Sequence, residues 1–79
     1  MDTNEIIERI KEKWRGTDNS QLVNHIDILI ASGSTGGEII GLLGRFLNDL
    51  KECNHPAYIV ARDLVNDYLT IWEKIPHSG

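Results

Sequence analysis

Cys53, the single cysteine, and His55 stand two residues apart in this sequence. A thiol beside an imidazole is the pairing of a cysteine nucleophile with its base, and both residue types ligate zinc. The spacing supports neither use. A structural zinc site takes four ligands, usually as two close pairs, and the remaining histidines, His25 and His77, are isolated and distant in sequence. For nucleophilic catalysis the separation does not secure the required geometry, and nothing nearby reads as an oxyanion hole. The expected roles are a half-buried cysteine at a helix end and an exposed histidine before a proline.

Carboxylates are the next candidates. Asp63 with Asp67, and Glu8 with Glu12, each lie one helical turn apart. General acid–base work needs one member of such a pair buried, so that its pKa rises. Both pairs fall on polar faces among other charged residues, and a solvated surface is expected. No catalytic, cofactor-binding or metal-ligating residue is therefore assigned, no cofactor is implied, and the chain is expected not to be an enzyme.

The turn Ser34-Thr35-Gly36-Gly37-Glu38 invites a third chemistry. Free amides at a helix N-terminus hold anions, and glycines let a phosphate come close. Ser34, Thr35, Gly36 and Gly37 are the residues that would form such a site. No strand precedes them, however, and the Gly-Lys-Ser/Thr ending of a P-loop is missing. Glu38 would also repel a phosphate. Thr35 followed three residues later by Glu38 fits a capping box before an apolar run, and capping is the expected role. Binding of a small anion or ligand by the turn from Gly33 to Glu38 stands as an alternative function.

The stretch Ala31-Ser32-Gly33-Ser34-Thr35-Gly36-Gly37-Glu38-Ile39-Ile40 resembles a turn of small bacterial helical proteins of uncharacterised function. In those a serine- and glycine-rich turn followed by Glu-Ile opens a helix with a leucine-rich face. The resemblance implies an all-helical bacterial protein and carries over no reaction, cofactor or catalytic residue.

Helices must position all of these residues. Apolar residues recur at the 3.6 period in four stretches, about 4–15, 18–32, 36–53 and 56–75. The first buries Ile6, Ile7, Ile10 and Trp14, with Thr3 or Asn4 as cap and Gly16 as the closing residue. The second opens on Asp18 and Gln21, which resemble a capping box, and buries Leu22, Val23, Ile26, Leu29 and Ile30 before Gly33 ends it. The third carries Ile39, Ile40, Leu43, Phe46, Leu47 and Leu50 inward and should fray near Cys53-Asn54. The fourth has Pro56 in its first turn and one stripe of Ala57, Val60, Ala61, Leu64, Tyr68, Ile71, Trp72 and Ile75. Pro76 stops it, leaving His77-Ser78-Gly79 as a loose end. No period-2 alternation suggests a strand. Short loops favour antiparallel neighbours, so the expected fold is all-α, a small antiparallel four-helix bundle in a single domain spanning 1–79.

Two features point to partners. Gly37, Gly41, Gly44 and Asn48 share one line on the third helix, opposite its apolar stripe. Interior glycines cost a helix about 1 kcal/mol each, so a row of them needs a reason. Either another helix of the chain lies in the groove, or the groove is exposed and receives a partner or a second copy. Tyr58, with Val65 and Leu69, widens the apolar face of the fourth helix, either against a neighbour or as an exposed patch. Gly37, Gly41, Gly44, Asn48, Tyr58 and Leu69 thus make the candidate interaction face.

Composition bounds the rest. Eight Lys and Arg against twelve Asp and Glu in 79 residues give a formal charge of −4, which argues against nucleic acid as partner. No apolar run is long enough for a bilayer, no secretory signal is visible, and a single cysteine suits a reduced, cytoplasmic setting. The expected function is a non-catalytic protein-interaction or regulatory module, with a protein partner or homodimer. An acidic immunity-type protein that neutralises a basic toxin is a further alternative, since complementary charge speeds association.

Overall fold

A computed structural model of the chain describes residues 2–33 and 35–75. The expectations for Ser34, and for the residues from Pro76 to Gly79, lie outside them. The fold is all-helical. Its elements are α1 (Thr3–Trp14), α2 (Ser20–Ser32), α3 (Gly36–Glu52), α4 (Pro56–Val60) and α5 (Arg62–Lys74), and no strand occurs among the described residues. Five helices stand where four were expected, because the last one is broken at Ala61.

The ends of these helices follow from local hydrogen bonding. Asp2, not Thr3 or Asn4, caps α1: its carboxylate accepts from the Glu5 amide at 2.8 Å. After α1 the chain turns through Arg15 and Gly16, and Thr17 N–H donates to the Trp14 carbonyl at 3.2 Å. Gly16 has φ +78°, the left-handed value that the third position of a type II turn demands. The Thr17 hydroxyl then donates to the same carbonyl at 2.6 Å and accepts from Asn19 N at 3.1 Å. That threonine organises the turn, so the box expected from Asp18 and Gln21 does not form. Helix α2 starts later, at Ser20, with no side-chain cap bond from Asn19.

Gly33 ends α2 with an ordinary negative φ of −77°. It is a glycine for space, because a Cβ there would sit 2.5 Å from Ile39 Cγ1. Thr35 caps α3 as expected, its hydroxyl accepting from Glu38 N at 3.2 Å. At the other end α3 does not fray. Asn54 takes φ +53°, Asn54 N bonds to Lys51 O at 3.1 Å, and His55 N bonds to Leu50 O at 2.9 Å. This is a Schellman closure with asparagine in the usual glycine position.

The break at Ala61 (φ −119°, ψ 30°) has the largest consequence. Ala61 N donates to both Ala57 O and Tyr58 O, and α5 starts afresh with Val65 N on Ala61 O. Ala57, Ala61, Val65, Tyr68 and Leu69 are buried, Leu64 and Ile71 only half-buried, and Val60 is 44% exposed. The expected stripe put Val60 in the core and left Leu69 off it; the structure has the reverse.

The core joins these residues to Ile6, Ile7, Ile10 and Trp14 of α1, Val23 and Ile26 of α2, and Leu43, Leu47 and Leu50 of α3. Helices α1 and α3 each pack against α2, α4 and α5. Two buried polar side chains bond to the backbone: Trp14 Nε1 donates to Ala57 O at 3.0 Å, and Tyr68 donates its hydroxyl to Ile40 O at 3.1 Å. Phe46 meets Trp14 edge-on, with ring centroids 6.3 Å apart, and lies 4.6 Å from the His25 ring.

Candidate functional site

The glycine row of α3 divides between core and solvent. At Gly44 the groove is internal, since a Cβ there would lie 2.1 Å from Trp72 Cδ1 in α5. A Cβ at Gly41 would meet nothing within 4 Å, and one at Gly37 only the Thr35 hydroxyl oxygen at 3.9 Å. Asn48 is half-buried. Leu69 is 3% exposed and belongs to the core, so it cannot present a surface. Tyr58 is half-buried and donates its hydroxyl to Asn66 Oδ1 at 3.2 Å, tying α4 to α5 across the break. The six residues therefore do not form one face.

Among the reactive types, His55 is half-buried and already in use. Its Nδ1 accepts from Ala57 N at 3.0 Å, capping α4, which fixes the neutral ring's proton on Nε2. Cys53 is exposed, not half-buried, and its thiol donates to Leu50 O at 3.6 Å. Among the described residues no group of three or more His, Cys, Asp or Glu converges as metal ligands would. In the anion turn, Thr35, Gly36 and Gly37 are exposed and the Thr35 hydroxyl is engaged by the Glu38 amide. Asp63, Asp67, Glu8 and Glu12 are all exposed. Burial pushes the Tyr68 phenol up to about 12, and its proton is committed to the Ile40 carbonyl.

One buried charge has no counterpart in the pattern reading. Lys11 is 8% exposed, and its ammonium meets Asp27 of α2 at 2.8 Å and Glu8 at 3.7 Å. The position shares a face with Ile7 and Trp14, four residues before and three after, so spacing marks it as inward although its type marks it as surface. The pair joins α1 to α2.

The surface at the α4–α5 break is different in kind. Five large apolar residues are exposed among the described ones: Ile28, Ile30, Leu42, Ile59 and Val60. Ile59 at 50% and Val60 at 44% are adjacent in sequence and line one depression. It encloses about 150 Å³ and is walled by Lys13 of α1, Ile59 and Val60 of α4, and Ala61, Arg62, Asp63 and Leu64 at the start of α5. The helix end here is uncapped by any side chain, alanine being the cap residue. Its first-turn amides give the positive end of the helix dipole to the same rim. Exposed apolar side chains with cations beside them can bind an apolar group that has an anion next to it. No protein-family model, curated protein or solved structure matches the chain.

Proposed function

We propose that the chain is a non-catalytic protein-interaction module whose docking face is the α4–α5 break. The observation that carries this reading is the exposure of Ile59 and Val60 beside a core that is already complete with Ala57, Ala61, Val65 and Leu69. Adjacent β-branched residues are poor helix formers, and apolar residues exposed side by side, unlike single ones, mark contact surfaces. The neighbour relations α1–α2, α2–α3, α3–α5 and α5–α1 support a four-helix antiparallel bundle as the scaffold, with α4 as the turn that offers the face.

Site-specific photo-crosslinking tests the reading. A photoreactive phenylalanine is placed at position 59 or, as control, at position 28, where Ile28 is 59% exposed on α2. In cells of the chain's own source, a discrete protein adduct from position 59, lost on Val60→Asp and not seen from position 28, is expected. The same adducts from both positions, or none from 59, would overturn it.

A further inference from the structure

We infer that the segment docking at the α4–α5 break is an acidic amphipathic peptide, with one aliphatic or aromatic side chain seated in the depression and carboxylates flanking it. The inference rests on the docking role proposed above and adds the chemistry of the partner.

The charge of this rim runs against that of the molecule. The chain carries a formal −4, whereas the depression is edged by two cations, Lys13 and Arg62, against the single carboxylate of Asp63. The cations of α1 that lie elsewhere are engaged: Arg9 with Glu5, and Lys11 with Asp27 and Glu8. Arg15, just past the end of α1, is held by Glu12. Among the described residues neither Lys13 nor Arg62 takes part in an ion pair. The uncapped start of α5 adds its partial positive charge between them.

A carboxylate-bearing partner gains from Lys13, Arg62 and the helix end against the one repulsion from Asp63, in rate of encounter and in orientation, while a basic one meets the opposite balance. The exposed side chains of Ile59 and Val60 supply the apolar contact. The depression beside them is open to solvent and holds about 150 Å³, room for one anchoring side chain and not for a whole helix face.

Panning a phage-displayed random peptide library against the immobilised full chain tests this, with K13E/R62E and V60D panned in parallel. Circular dichroism confirms that each variant is folded, and I59S replaces V60D if that variant is not. The expected peptides carry one large apolar residue flanked by Asp or Glu, and their binding falls at least about tenfold on K13E/R62E, equivalent to about 1.4 kcal/mol. It should also fall on V60D and weaken with added salt. Peptides without acidic excess whose binding is still lost on V60D would keep the docking face and overturn the acidic partner. Peptides indifferent to V60D, or no enrichment, would overturn docking at the break. Self-association by sedimentation that V60D abolishes would place a second copy there and overturn the peptide as occupant.

Discussion

The indole of Trp72 fills the volume that a side chain at position 44 would need, with Cδ1, Cγ and Nε1 all within 2.4 Å of where its Cβ would stand. The glycine lets α3 and α5 approach at that point, and three residues earlier Gly41 faces open space. Two glycines of one row thus answer to different demands.

Gly44→Ala and Gly41→Ala should consequently differ in sign. The first overpacks a contact with a rigid ring and should lower stability by about 1–3 kcal/mol. The second adds a methyl to open space at a half-buried position inside the helix and should raise stability by about 0.5–1 kcal/mol, since alanine restricts the unfolded chain. Urea unfolding measures both. Equal effects would mean that the row acts as a single groove.

Tyr68 makes stability depend on pH at the alkaline end. Its folded pKa is raised by burial to about 12 from the ordinary 10.0. A group with a raised folded pKa favours folding fully below its unfolded value and loses that contribution as pH climbs through the folded one. Stability should therefore decline between about pH 10 and 12, by about 2–3 kcal/mol. Tyr68→Phe removes the hydroxyl bonded to Ile40 O, should cost about 1 kcal/mol at neutral pH, and should flatten that part of the alkaline decline. Chemical denaturation across the pH series, for both proteins, checks it.

Thr35 acts as a helix cap through its hydroxyl and the Glu38 amide. Thr35→Ala should lower stability by about 1 kcal/mol, and Thr35→Ser should restore most of it. Millimolar phosphate should not shift the melting temperature of the wild type. A shift that disappears in Thr35→Ala would instead give the turn an anion-binding role.

Where the sequence was readable, the signal was local. Gly16 sits in the turn that demands its φ, Thr35 and Glu38 mark the start of α3, and the stripe of α1 is buried whole, as are Leu43, Leu47 and Leu50 of the α3 stripe. Asn54 shows the limit of that reading, because asparagine fills the left-handed position less often than glycine and Pro56 two residues on already suggested a stop. Ala61 shows a deeper one. Ile59-Val60-Ala61 contains no glycine or proline, and the apolar period runs through it unbroken. The break accompanies tertiary contacts that no window of sequence contains: Trp14 donating to the Ala57 carbonyl from 43 residues away, and both Ala57 and Val65 lying in the core. Reading through the break placed Val60 inside and Leu69 on the candidate face, and so hid the surface that Ile59 and Val60 form.

A docking face at the break requires Ile59 and Val60 to be surplus to the fold. Equilibrium urea unfolding of Ile59→Ser/Val60→Ser tests this most directly, with Val65→Ala as the reference for a core position. The double variant should keep wild-type stability to within about 0.5 kcal/mol, as exposed substitutions do. Val65→Ala, at a site with 0% exposure, should lose about 2 kcal/mol or more. A loss in the double variant as large as that of Val65→Ala would place the pair in the core and contradict the docking role.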